Sequence, residues 1–74
     1  MTQNDPPKIR VRVNGDEREL SAATRVADLL EELGVDPRHT AVERNREIVP
    51  KTAFAATVLA DGDVVEIVTL VGGG

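Results

Sequence analysis

Apolar and polar residues alternate one for one from Lys8 to Val13, with Ile9, Val11 and Val13 on one side and Lys8, Arg10 and Arg12 on the other. That period of two predicts a half-buried strand. Asn14-Gly15 follows at once, and both residues tolerate the positive φ that a two-residue hairpin turn requires. Residues 16–21 (DERELS) should then return antiparallel, with Leu20 as the inward anchor. Beyond Thr24 the period changes. Val26, Leu29, Leu30 and Leu33 are spaced i, i+3, i+4, i+7, the apolar stripe of an α-helix. Thr24 is the expected N-cap, its hydroxyl accepting from a first-turn N–H. Asp28 lies near the positive helix start, but no reciprocal capping box is expected, because Ala27 stands where Glu or Gln would be needed. Gly34 supplies the left-handed residue past the helix end, and Pro37 prevents resumption.

Residues 41–45 (AVERN) and 47–49 (EIV) read as short strands around a tight turn at Asn45-Arg46, closed by Pro50. Residues 51–59 suggest a short helical turn containing Ala53 and Phe54. Asp61-Gly62-Asp63 is a turn, and residues 64–70 form a strand rich in β-branched side chains. A hairpin, a helix, short strands and a last strand predict an α+β fold with a mixed sheet of four to five strands packed on one main helix. A long right-handed connection should bring the last strand parallel to the first. This is a β-grasp, or ubiquitin-like, arrangement. Residues 1–7 (MTQNDPP) read as a loose leader, 8–70 as the domain and 71–74 as a flexible glycine tail.

With 74 residues there is room for one small domain. The 41% hydrophobic content is too high for a disordered chain, and no uncharged apolar run is long enough to span a membrane. The start lacks the layout of a signal peptide, so a cytoplasmic protein, monomeric on its own, is expected. Cysteine is absent, which excludes a disulfide scaffold, a thiolate metal site and a cysteine nucleophile. A single aromatic residue, Phe54, gives no base-stacking platform, and a net charge of −4 disfavours phosphate backbones, so no nucleic-acid partner is expected. The acidity favours encounter with a basic protein surface, or serves only solubility.

Candidate chemistry inside the domain is sparse. His39 has no nucleophile beside it and reads as a surface loop residue. Asp61 and Asp63 lack the further oxygen ligands of a cation loop. Asp28, Glu31 and Glu32 form the solvated helix face, and Arg44 and Arg46 read as exposed. No phosphate loop or nucleophile-and-base set can be assembled, so the domain is not expected to be an enzyme.

The ending Val71-Gly72-Gly73-Gly74 is different. A terminal carboxylate that must enter another enzyme's active site needs a slim backbone without side chains, and glycine provides it. A frayed end is the alternative. If Val65 and Ile67 face the helix, Val64, Glu66, Val68 and Leu70 fall on the outer face. Val68 and Leu70 then form an apolar patch leading into the tail, unless twist buries Leu70 or Val71 at an edge.

The chain resembles the sulfur carrier family of thiamine biosynthesis (ThiS) over most of its length. The resemblance is carried by Val13-Asn14-Gly15, Thr24-Arg25-Val26 with Leu29-Leu30, Ala41-Val42-Glu43-Arg44-Asn45 leading to Ile48-Val49-Pro50-Lys51, Asp61-Gly62-Asp63 with Val65-Glu66-Ile67-Val68, and the glycine ending. It implies that a ThiF-type enzyme, using ATP and magnesium, adenylates the Gly74 carboxylate. Sulfur from a cysteine desulfurase persulfide would then displace AMP, and the thiocarboxylate would donate to a ThiG-type thiazole synthase. Gly73 and Gly74 would carry the reaction, Val71 and Gly72 would thread the tail, and Val68 and Leu70 would dock. No cofactor or metal is implied for the chain itself. Leu70 stands where the family often has an aromatic residue, and Phe54 where it often has Trp. The related alternatives are the small subunit of molybdopterin synthase, a ubiquitin-like protein modifier and a non-covalent β-grasp adaptor.

Overall fold

The computed structural model describes residues 7–70. Of the expected leader, residues 1–6 lie outside the described residues. Pro7 is exposed, and its carbonyl accepts from the Ala22 N–H at 2.8 Å.

The alternating segment is strand β1 (Lys8–Val13), with Ile9, Val11 and Val13 buried and the basic residues outside. Asn14 and Gly15 both adopt positive φ, 50° and 88°, and return the chain into β2 (Asp16–Ser21), whose Leu20 is buried opposite Ile9. Helix α1 (Val26–Leu33) buries Val26, Leu29 and Leu30 completely, with Leu33 half-buried at its end. Gly34 takes φ 73°, and its N–H caps the carbonyls of Leu30 and Glu31. A 3₁₀ turn at Pro37–His39 leads to β3 (Thr40–Arg44). Asn45 and Arg46, again at positive φ, turn the chain into β4 (Glu47–Val49). A second 3₁₀ turn, Lys51–Ala53, buries Phe54 just beyond it, and β5 (Val64–Thr69) closes the sheet.

The strand order is β2-β1-β5-β3-β4. The last strand therefore lies at the centre, parallel to β1 and antiparallel to β3. One sheet face, carrying Ile9, Val11, Val13, Leu20, Val42, Val49, Val65 and Ile67, packs with the helix stripe, Phe54 and Leu59 into a single core. The outer face is left open. A mixed five-stranded sheet on one helix is the arrangement the patterning predicts.

The helix start corrects the sequence reading. Thr24 is not the N-cap; Arg25 is, in extended conformation, and the helix begins one residue later. The cause lies in residues 54–59. The first-turn N–H groups of Val26 and Ala27 donate to the carbonyls of Thr57 and Phe54, at 2.9 and 3.0 Å. The Thr24 carbonyl accepts from Leu59, and Arg25 bridges Val58. The shift puts Asp28 at the third helical position, where its carboxylate accepts from the Arg25 N–H at 2.9 Å. Half of a capping box is therefore present where none was expected; a guanidinium, having no acceptor, cannot supply the other half.

Candidate functional site

β5 runs through the middle of the sheet and delivers the chain to its last residues. Three polar side chains hold it. Asn14, at the turn leaving β1, donates its amide to the Ile67 carbonyl (3.1 Å), and its oxygen accepts from the Ile67 N–H (2.8 Å). The side chain thus takes the place of a strand residue after the main chain has turned away. Asn45, at the β3–β4 turn, accepts from the Val64 N–H at 2.9 Å and donates to Asp63 at 2.9 Å. Asp63 is buried, and its carboxylate also accepts from the Ala60 N–H (2.8 Å) and from Arg44 (3.4 Å). Burial alone would push the Asp63 carboxyl up, but the bonds from Ala60, Asn45 and Arg44 outweigh it and hold the group below its ordinary value. At the far end the Leu70 N–H donates to the His39 carbonyl at 2.6 Å.

These contacts settle the roles of several residues. Asp61 and Asp63 do not converge: the Asp61 carboxylate accepts from the Arg10 N–H (2.8 Å), while that of Asp63 turns inward. Arg44, expected in solvent, is half-buried against Asp63, because β3 carries it on the core side of the sheet; Arg46 is exposed. His39 is exposed, 3.7 Å from the Asp36 carboxylate. Hydrogen bonds from the Arg38 side chain and N–H lower the Asp36 carboxyl to about 2. Asp28, Glu31 and Glu32 lie on the exposed helix face.

The outer face of β5 is apolar at both ends. Val64, Val68 and Leu70 are 45%, 56% and 50% exposed, whereas Val65 and Ile67 are buried. Leu70 is therefore not tucked under an edge. Val71, Gly72, Gly73 and Gly74 lie outside the described residues. The sequence reading missed Ile48, which at 76% exposure is the most open of the large apolar side chains described. Strand alternation beside the buried Val49 was its signal. One open cleft, between β1, β2 and the turn before β5, is lined mostly by charged side chains, among them Arg10, Arg12, Glu17 and Asp61. No helix among those residues is long and apolar enough to cross a membrane.

A mixed sheet with a central last strand, one packed helix and an open outer face defines a small β-grasp domain. Solved structures share it. The crystal structure of thiamine biosynthesis protein ThiS from Geobacter metallireducens superposes with a TM-score of 0.76 at 35% identity, covering 89% of this chain and all of that one. The ThiS family model matches residues 11–74, and the chain belongs to the ThiS family. The sulfur carrier protein ThiS of Thermus thermophilus is 41% identical over 86% of this chain and 98% of its own length. The thiazole synthase of Paramagnetospirillum magneticum is 53% identical over 89% of this chain. The chain spans only about one fifth (20%) of that synthase's length, and the same share of the matching thiazole synthase of Magnetococcus marinus.

Proposed function

We propose that this chain is a sulfur carrier of thiamine biosynthesis and that the Gly74 carboxylate is its working group. The observation that carries the reading is the ThiS family match over residues 11–74, which includes the ending Val71-Gly72-Gly73-Gly74. A carboxylate does not react with a sulfur nucleophile, because it has no adequate leaving group. Adenylation by a ThiF-type enzyme with Mg-ATP converts it to a mixed anhydride and releases pyrophosphate. Hydrosulfide then forms the C–S bond as the C–O bond to AMP breaks, leaving the thiocarboxylate. In the cell the sulfur comes from a desulfurase persulfide. Its terminal sulfur displaces AMP to give an acyl disulfide, and a thiol of a partner protein cleaves the S–S bond. That cleavage releases the thiocarboxylate as the two sulfurs left behind form a disulfide, and a ThiG-type thiazole synthase then receives the sulfur. The chain is a co-substrate without catalytic groups of its own. Gly73 and Gly74 react, Val71 and Gly72 thread, and Val68 and Leu70 dock, all in the cytoplasm with the free carrier monomeric.

Intact mass spectrometry tests the reading after incubation with the adenylating enzyme, ATP and sulfide. The expected product gains the mass difference between sulfur and oxygen, localised to Gly74. An unchanged mass, or full activity with a tag appended after Gly74, overturns the carrier mechanism. A gene deletion should create a growth requirement relieved by the thiazole moiety. Loss of molybdoenzyme activity instead would favour the molybdopterin pathway, and adducts on other proteins would favour a modifier.

A further inference from the structure

The part of the open sheet face formed by β3, β4 and β5 carries apolar side chains around a charged centre. On it Ile48 of β4, Glu43 of β3 and Glu66 of β5 stand in one row, since Glu43 pairs with both Ile48 and Glu66. The adjacent row pairs Ala41 with Val68, and Leu70 lies beyond. All of these residues are exposed. Two glutamates directly opposite on neighbouring strands repel each other. Neither carboxylate has an ion pair or side-chain hydrogen bond among the described residues. Arg46 lines the same hollow as Val64 and Glu66 without pairing to either glutamate. The other half of the face differs: Arg10 and Arg12 of β1 stand opposite Glu19 and Glu17 of β2, so opposite charges meet in register there, while Lys8 stands opposite Ser21.

We propose that this face docks on a thiazole synthase surface that places one arginine or lysine side chain between Glu43 and Glu66, within an apolar ring that covers Ile48, Ala41, Val68 and Leu70. The inference rests on the carrier reading above and extends its docking surface across β3 to β4. Charge complementarity selects the occupant. A purely apolar partner would bury two like charges together, whereas a single cation between them satisfies both and removes their repulsion. The matching thiazole synthases provide the second argument. Each contains a segment similar to this chain within the same polypeptide, which tethers such a domain to a synthase body.

The experiment measures thermal stability and affinity together, with the wild-type carrier, E43Q/E66Q and I48S. Binding is titrated against the thiazole synthase from the same organism at low and high salt. E43Q/E66Q should melt no lower than wild type, because a repulsion is gone, yet bind roughly tenfold or more weakly at low salt. That difference should shrink near 1 M salt, where the screening length is about 3 Å. I48S should weaken binding at both salt concentrations. Unchanged or tighter binding by E43Q/E66Q overturns the proposal, as does a loss matched by a fall in melting temperature. If wild type neither binds the synthase nor acquires sulfur, the carrier reading itself has failed. If wild type does both and E43Q/E66Q binds equally well, only the docking proposal has failed.

Discussion

Asn14 performs two tasks that a hairpin turn alone does not require. It accepts a positive φ of 50°, and its amide group completes both hydrogen-bonding positions of Ile67 on β5. Replacing it with alanine strains the turn and strips a part-buried N–H and carbonyl of their partners. Asn14→Ala should therefore cost about 1–3 kcal/mol, read from the urea midpoint at unchanged slope. Asn14→Asp, which keeps the acceptor for the Ile67 N–H, should lose less. Asp63 makes a prediction about pH. Its folded value lies below the ordinary 3.8, so the stability it contributes is complete above 3.8 and is lost as pH falls through the lower folded value. Asp36, lowered to about 2 by Arg38, acts with the same sign from an exposed site. Melting temperature should hold from neutral pH down to about 4 and fall below it. Asp63→Asn should start lower, because the Ala60 and Arg44 bonds weaken, and should show a shallower acid decline. A decline parallel to wild type would remove Asp63 as its source.

The elements divide into those that local pattern specifies and those that need a remote partner. The period-two strand β1, the i, i+3, i+4, i+7 stripe of α1 and the paired positive-φ turns are written in consecutive residues, and they formed where the pattern placed them. The helix start was illegible for a physical reason: Thr57 and Phe54, far along the chain, satisfy the N–H groups that a local cap would have served. The exposure of Ile48 was hard to see because a three-residue strand shows little alternation. The burial of Asp63 depends on Arg44 and Asn45 arriving from another hairpin. Of the candidate site, the outward Val68 and Leu70 followed from strand period, while the extent of the face needed the register of β3 and β4. Helix energetics should reflect the same division. Asp28→Ala removes one N-terminal bond and should cost about 0.5–1 kcal/mol. Leu29→Ala empties a fully buried site and should cost about 2–5 kcal/mol in the same denaturation measurement. If Asp28→Ala proves the costlier, the remote carbonyls do not support the helix start as described.

At the scale of the whole molecule, stability and the proposed function sit on opposite faces of one sheet. The core joins the helix to the inner face, so β5 contributes Val65 and Ile67 to folding, while its alternate residues leave the core untouched. Being central, β5 is fixed from both sides by β1 and β3, and the Leu70 N–H is tied to His39. The backbone that leads to the proposed reacting end is thus held by the main chain, and the side chains of Val68 and Leu70 remain free for other contacts. The consequence is a separation that one pair of variants can measure. Val68→Ser with Leu70→Ser alters exposed side chains without removing a backbone bond, and surface changes of this kind usually stay within about 0.5 kcal/mol each. For a chain of this size the pair together should therefore shift the melting temperature by at most roughly 4–8 °C. Thiocarboxylate formation at low carrier concentration should nonetheless fall about tenfold or more, and saturating carrier should recover part of it, because docking rather than chemistry is impaired. Leu29→Ala should behave in the opposite way, with a large fall in melting temperature and near-normal sulfur loading at a temperature where it remains folded. Scanning calorimetry and the intact-mass assay on the same preparations give both readings. Wild-type loading by the Val68/Leu70 pair would show that the adenylating enzyme grips the carrier elsewhere.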